Sequence, residues 1–185
     1  PLLVMVHGYG ASGLIFYKIL KPLAEKFHII LIDIIGMGAS SRPQFNAKTA
    51  DQADTFLVAS LESWRVAMGD LKDFYLAGHS FGGYLVGQYS YRYPQYLKKV
   101  LMLSPAGIVE KPPGFDIFAQ KTPSGRKPGS LAKKLMKKVW KKKWSPFGIM
   151  RKSGAFLGKR IIKSYLNTRM SDLNKEEFNA MLEYF

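Results

Sequence analysis

Phe74-Tyr75-Leu76-Ala77-Gly78-His79-Ser80-Phe81-Gly82-Gly83 joins an apolar run to a serine bracketed by glycines. Phe74 to Ala77 reads as a buried strand, and the residues after Ser80 read as a helix running to about Tyr93, where Pro94 closes it. Gly78-His79-Ser80-Phe81-Gly82 fits the pattern G-x-S-x-G. Five-residue matches of this kind arise by chance in many proteins, but a strand before it and a helix after it define a sharp turn. A serine on such a turn needs unusual backbone angles, and the glycines keep neighbouring atoms clear of it. Ser80 is therefore the candidate nucleophile. The helix that follows aims the positive end of its dipole at any developing oxyanion, and the Phe81 backbone N–H is the first candidate oxyanion donor.

Working outward, the same alternation of apolar runs and helical patterns fills the first hundred residues. Leu2 to Val6 reads as a strand ended by His7-Gly8-Tyr9-Gly10, followed by a helix from about Ile15 to Lys26. His28 to Asp33 is a second strand, Ile-rich on both faces and therefore expected to be covered on both. A loop carrying Gly36, Gly38 and Ser40-Ser41-Arg42-Pro43 precedes a helix from about Asp51 to Met68, and Lys99 to Leu103 is the fourth strand. Strands separated by helices predict right-handed crossovers and a mostly parallel sheet, the α/β class. The loops at 7–13 and 78–82 then lie at the carboxyl ends of strands, where such sheets build their sites. The second oxyanion donor must come from the loop after the first strand, and the Tyr9 N–H is the candidate.

After Ser104-Pro105-Ala106-Gly107 the pattern changes to Pro, Gly and Lys punctuation and then helical segments without strands. The expected organisation is the N-terminal part of an α/β core over 1–105 and a basic helical cap over 106–185. Charge follows the same division. The chain has 185 residues, 28 Lys and Arg, 13 Asp and Glu, and a net charge of +15. Residues 121–160 hold 14 of the basic residues and no acidic one, which leaves +1 for the remainder. Composition excludes a disordered tail, a collagen-like chain and a disulfide framework. The absence of cysteine removes zinc-thiolate and Cys-nucleophile chemistry, and neither a cofactor nor a metal is expected. No apolar run approaches the roughly 20 residues of a membrane-spanning helix, and no charged region precedes the opening run Leu2 to Val6 as in a signal peptide. A chain that opens inside a strand reads as part of a longer one.

A serine nucleophile needs a histidine base and a carboxylate to orient it. His7, His28 and His79 are the histidines present. His79 adjoins Ser80 with its side chain directed away, His7 is expected to brace the oxyanion loop, and His28 begins a buried strand. Asp33, at a strand end before a glycine loop, is read as the cap of that loop. The chain order Ser…Asp/Glu…His of this kind of site places the triad Asp and His beyond Phe185. His28 and Asp33 also match H-x4-D, an acyltransferase signature. On one strand, however, they stand about 16 Å apart at roughly 3.3 Å per residue and point to opposite faces, so the match is read as coincidence.

Leu131 to Lys141 forms a basic amphipathic pattern on a helical wheel. Leu131, Ala132, Leu135, Met136, Val139 and Trp140 take one half, and Lys133, Lys134, Lys137, Lys138 and Lys141 take the other. Lys142 and Lys143 would break the apolar half, so the helix should end near there. A basic helix with tryptophan is the form of a membrane-surface element. At about 1 kcal/mol per lysine near an anionic leaflet, the cluster would contribute several kcal/mol, screened within a Debye length. The expected partner is an anionic phospholipid membrane surface, met by Lys133, Lys134, Lys137, Lys138, Trp140 and Lys141. A solvated face whose apolar stripe packs on the core is the alternative. No recognised nucleic-acid module accompanies the patch, which argues against nucleic acid as partner.

With these residues in place, the chain resembles the α/β-hydrolases over residues 1 to about 107. The resemblance rests on His7-Gly8-Tyr9-Gly10-Ala11-Ser12, Asp33 with Gly36, Gly38 and Ser40, Glu62-x-Trp64-Arg65, Gly78 to Gly83 and Ser104 to Gly107. Trp144 to Arg151, Gly154 and Leu157-Gly158-Lys159 resemble the branch holding a mitochondrial cardiolipin-specific deacylase, lysophospholipid and N-acyl-phospholipid lipases and a lipid-droplet lipase co-activator. That resemblance implies acyl-ester hydrolysis on a phospholipid or lysophospholipid substrate, with acyl transfer a known proposal. It also implies an intracellular, peripheral-membrane protein of mitochondria or lipid droplets. The co-activator lacks the serine that stands here as Ser80, which favours an enzyme. The competing expectation is a catalytically silent scaffold subunit of a membrane or ribonucleoprotein assembly.

Overall fold

Alternation of side chains along the first strand decides how the layers form. The computed structural model of the chain describes residues 1–110, 113–114, 129–141, 154–169 and 173–184. In β1 (Leu2–Val6), Val4 and Val6 face one side of the sheet and Leu3 and Met5 the other, and all four are buried. A 3-10 turn (Gly13–Phe16) leads into α1 (Tyr17–Ala24), which is followed by β2 (His28–Ile32) and α2 (Ala50–Ala67). Then come β3 (Phe74–His79), α3 (Phe81–Arg92), a 3-10 turn (Pro94–Tyr96) and β4 (Leu97–Leu103). All pairings are parallel, in the order β2-β1-β3-β4.

Two apolar layers cover the sheet. Leu3, Met5 and Ala77 pack with Phe16, Leu20 and Leu23 on the α1 side. Val4, Val6, Phe74 and Leu76 pack on the opposite face with Val58 and Leu61 of α2 and Leu85, Val86 and Tyr89 of α3. The chain thus leaves β1 toward β2 over one face and returns to β3 over the other. Loops from β1 and β3 therefore diverge at a topological switch point, the place where α/β sheets open a crevice at their carboxyl ends.

Local chemistry sets the element ends. Thr49 caps α2 by accepting the Gln52 N–H at 3.2 Å, while Gln52 Oε1 accepts from the Lys48 N–H at 2.8 Å, a reciprocal arrangement close to a capping box. Pro22 removes a donor from the last turn of α1, which stops at Ala24, short of the expected Lys26. The outer strands depart further from expectation. β2 is half-covered where its Ile-rich sequence predicts burial on both faces, and His28 at its start is exposed. In β4, Leu101, Met102 and Leu103 are all exposed. Among the described residues each of these strands has a neighbour on one side alone, so apolar sequence does not become buried surface.

The chain divides into two compact units, Pro1–Glu110 and Lys111–Phe185. In the second, the described residues include α4 (Ser130–Lys141), α5 (Gly154–Arg169) and α6 (Lys175–Tyr184). α5 packs on α6, with Ile162, Leu166 and Met181 buried.

At the amino-terminal side of β3, a buried cation ties α2 to α3. Arg65 is 2% exposed; its Nε and Nη2 donate to the two oxygens of Glu62 at 2.9 and 2.8 Å, and Nη1 donates to Asp70 Oδ1 at 2.5 Å and the Leu71 carbonyl at 2.9 Å. Its guanidinium lies 3.7 Å from the Tyr96 ring centroid, and the Tyr89 hydroxyl donates to Glu62 at 2.6 Å. Hydrogen bonds from Arg65 hold the Glu62 carboxyl below its ordinary value of 4.5. That stabilisation is complete above about pH 4.5 and is lost as pH falls through the depressed folded value. Arg65→Met should lower stability by about 3 kcal/mol in urea denaturation near neutral pH. It should also flatten the acid limb of stability below about pH 4.5. An unchanged limb would mean that other carboxylates produce it.

Candidate active site

The turn after β3 leaves no room for a side chain at any of its three glycines. A Cβ on Gly78 would strike the Gly82 carbonyl, one on Gly82 would strike the Val6 and His7 carbonyls, and one on Gly83 would meet Pro105 Cβ at 2.9 Å. The start of α3 therefore sits directly on the ends of β1 and β3, and the chain reverses within a single residue. That residue is Ser80, at φ 53° and ψ −114°, a region an L-residue enters only when its surroundings force it. Its N–H donates to the Leu103 carbonyl at 3.0 Å, and its own carbonyl accepts from Tyr84 at 3.1 Å and Ala106 at 2.9 Å. Phe81, the first residue of α3, has its N–H among the donors a helix leaves unpaired at its N-terminus.

The loop from β1 meets this turn. A Cβ on Gly8 would lie 3.2 Å from Ser80 Cβ and 3.3 Å from His79 Nδ1, so any side chain there would press on both. Tyr9 follows in a turn closed by the Ala11 N–H donating to the Gly8 carbonyl at 3.3 Å, with Gly10 at φ +68°. The Tyr9 ring is half exposed and meets Phe81 edge-on at 6.4 Å. Ser80, Phe81 and Tyr9 are thus brought to one place, although each was read from its own local pattern.

The histidines have other duties. His7 is fully buried; its Nδ1–H donates to the Gly8 carbonyl at 2.7 Å, and its Nε2 accepts the Ile34 N–H at 3.0 Å. Both nitrogens are used, which fixes a neutral Nδ1–H tautomer. Burial holds its pKa below 6.5 against opposing pulls from the Gly8 carbonyl and from Asp33, whose Oδ1 lies 3.7 Å from Nε2. His79 lies against Gly8, and its Nδ1 is buried without a hydrogen-bond partner among the described residues. His28 stands at the amino end of β2, opposite Leu2, the end of the sheet away from Ser80. Asp33 follows the other end of that strand, and its carboxylate accepts from Gly13 N–H at 2.7 Å and Ala39 N–H at 2.8 Å, while the Ser40 hydroxyl donates to its carbonyl at 2.6 Å. It holds two loops together, and β2 keeps it apart from His28. Among the described residues, no cluster of three or more His, Cys, Asp or Glu side chains is placed to hold a metal.

Other contacts around the serine arise only once distant segments meet. Ser104 takes φ +43° and, with Pro105 and Ala106, latches the end of β4 onto the turn through the hydrogen bonds of Ser80. Tyr84 stacks on Phe81 at 6.2 Å and donates to Asp54 of α2 at 2.6 Å; that carboxylate and burial push its phenol up to about 12. These pairings join residues up to 30 positions apart, and a pattern read over a short window cannot register them.

In the second unit, Lys134, Lys137 and Lys138 of α4 are exposed and Val139 is half-buried. The backbones of Lys133, Trp140 and Lys141 belong to the same helix, and their side chains lie outside the described residues. The segment Trp144 to Arg151 lies wholly outside them, whereas Gly154 and Leu157-Gly158-Lys159 fall in α5. No described helix is long and apolar enough to cross a membrane.

Two stability measurements test this geometry. Ser80→Gly should be more stable than Ser80→Ala by about 1 kcal/mol, because relief of about 1–3 kcal/mol of backbone strain exceeds the roughly 0.5–1 kcal/mol of extra glycine entropy. A urea midpoint for Ser80→Gly below that of Ser80→Ala would show an unstrained turn. Because the folded pKa of His7 is depressed, its neutral form stabilises the fold above pH 6.5, and that contribution is lost as pH falls toward the folded value. His7→Ala should cost about 1–3 kcal/mol at neutral pH and reduce the slope of melting temperature against pH below 6.5.

Comparison with known proteins agrees with this architecture. A family model described as the alpha/beta hydrolase fold matches residues 1–127. The chain is 33% identical over 190 residues to a probable 1-acylglycerol-3-phosphate O-acyltransferase of Oryza sativa subsp. japonica, covering 100% of this chain and 44% of that protein. It is 37% identical over 110 residues to a (lyso)-N-acylphosphatidylethanolamine lipase of Mus musculus, covering 60% of this chain and 32% of that one. Among solved structures, a membrane phospholipase A described as a bacterial virulence factor superposes with a TM-score of 0.53 at 26% identity, over 66% of this chain and 36% of that chain. The chain spans less than half the length of these curated relatives, and over that span sheet order, turn and family match agree: it belongs to the α/β-hydrolase fold family.

Proposed function

We propose that Ser80 is the nucleophile of an acyl-ester hydrolase acting on glycerophospholipid or lysophospholipid esters at a membrane surface. The observation that carries this reading is the backbone of Ser80, held at φ 53° between β3 and α3 with the Gly8 loop against it. A conformation that costs of order 1–3 kcal/mol persists where it serves a purpose, and projecting a hydroxyl above the sheet is such a purpose. The substrate class is supported by the names borne by the relatives, an acylglycerol-phosphate acyltransferase and an N-acylphosphatidylethanolamine lipase.

Ser80 Oγ attacks the ester carbonyl carbon; the new C–O bond forms as the carbonyl becomes an oxyanion, received by the Phe81 and Tyr9 N–H groups. The bond to the glycerol oxygen then breaks, and the proton from Oγ passes through a histidine base to that oxygen. Water attacks the acyl-serine in the second half and releases the fatty acid. His7, His28 and His79 are each held for other purposes or away from the site, so the base and its carboxylate are assigned to sequence outside residues 1–185. Passing the acyl group to a lipid hydroxyl instead of water would be transfer, the reaction in the rice relative's name. α4, with no acidic residue in the surrounding 121–160, supplies the electrostatic approach to an anionic leaflet.

A fluorophosphonate probe applied to the full-length protein should label Ser80. Ser80→Ala should lose the label, and its release of fatty acid from a lysophospholipid should fall by roughly 1,000-fold or more. Labelling that survives Ser80→Ala would reject the assignment. Absence of both labelling and turnover in the wild type would leave the scaffold reading, and a diacyl product would indicate transfer.

A further inference from the structure

In the second unit, the first two turns of one helix hold apolar side chains out to solvent. Along α5, Gly158, Ile162 and Leu166 recur every four residues and are buried. The opposite side carries Phe156 at 83% exposure, Leu157 at 48% and Ile161 at 38%. At about 100° per residue these three span an arc of about 140°. Arg160 lies within that arc and Lys163 beside it, both exposed. α5 has no acidic residue; its charged side chains are Lys159, Arg160, Lys163 and Arg169.

Apolar groups interleaved with cations at one level ask for a partner that is apolar beneath and anionic at its surface. An acidic protein patch would match the cations and leave Phe156 without a counterpart. A bilayer with anionic headgroups offers both, because long cationic side chains reach up to phosphates while their neighbours enter the acyl boundary. We infer that α5 is the inserting element of the molecule: Phe156, Leu157 and Ile161 enter the headgroup–acyl boundary of an anionic phospholipid membrane, and Arg160 and Lys163 engage lipid phosphates. This rests on the reading that the chain works at a phospholipid surface, and it divides the labour: α4 attracts, α5 anchors.

Residues 1–185 contain no cysteine, so Phe156→Cys, with any cysteine outside them replaced by serine, offers a specific position for an NBD fluorophore. The full-length protein, labelled there, is mixed with vesicles of phosphatidylcholine alone or with about one-third phosphatidic acid. The expected result is a blue shift and a rise of roughly two-fold or more in emission with anionic vesicles alone. In flotation, the pair Phe156→Ser and Leu157→Ser should weaken binding by about 10-fold, while Lys134→Gln, Lys137→Gln and Lys138→Gln together should mainly remove the salt dependence. Flotation without an NBD response overturns insertion by α5 and leaves docking by α4 standing. An NBD spectrum already blue-shifted without vesicles overturns it too, since another part of the protein then covers this face. Fluorophosphonate labelling of Ser80 needs no vesicles, so failure of the catalytic reading is seen separately from failure of this one.

Discussion

The architecture depends on how closely a helix can approach the end of a sheet. Gly82 rests on the carbonyls of Val6 and His7, and Gly78 on the carbonyl of Gly82, with no space for a methyl group at either position. This contact has two results at once. It sets the height of α3 above β1 and β3, which brings Leu85, Val86 and Tyr89 into the layer with Val4, Val6 and Leu76. It also leaves one residue to complete the reversal, and that residue takes the strain. Interior packing tolerates little adjustment, so the core and the serine turn are a single mechanical problem. A change that relieves one would shift the other.

Around that contact the molecule is braced at both ends of the strands. At the carboxyl ends, Asp33 holds the Gly13 and Ala39 amides and His7 ties Gly8 to Ile34, so the loops after β1 and β2 are fixed to each other by side chains from each. At the other end, Arg65 gathers Glu62, Asp70 and the ring of Tyr96. Neither group is expensive in the way an unpaired buried charge would be. His7 is neutral with both nitrogens bonded, and the Arg65 guanidinium meets carboxylates and a carbonyl. The first of these clusters fixes the loops beside the switch point of β1 and β3, and the second fixes the opposite end of the sheet.

The residues whose behaviour could be read from the chain are those governed by local rules. Leu2 to Val6, Phe74 to Ala77 and the Gly78 to Gly83 turn carry periodicity and glycine placement that act over a few residues, and they adopt the expected elements. The Ile run of β2 is half-covered because burial depends on neighbours, and among the described residues this strand has a partner on one side alone. Ser104 stands in a motif visible in the sequence, but its left-handed backbone follows from the bonds of its neighbours Leu103 and Ala106 to Ser80, which the sequence alone does not show. The Tyr84–Asp54 hydrogen bond and the stacking of Arg65 on Tyr96 are likewise products of the fold. Asp33 lies between these cases. Its place before a glycine loop marks it as a cap, but the reach of its second oxygen back to Gly13 follows only from the pairing of β1 with β2.

The hydrogen bonds at Ser80 have a kinetic consequence. Its amide is committed to Leu103 and its carbonyl to Tyr84 and Ala106, so α3 and the end of β4 clamp its peptide groups. What remains mobile is rotation about the Cα–Cβ bond, with three staggered positions for the hydroxyl. The hydroxyl thus explores a discrete set of orientations on the picosecond-to-nanosecond scale of rotamer exchange. Any slower rearrangement near Ser80 must therefore belong to its surroundings, because the serine backbone itself has nowhere else to go.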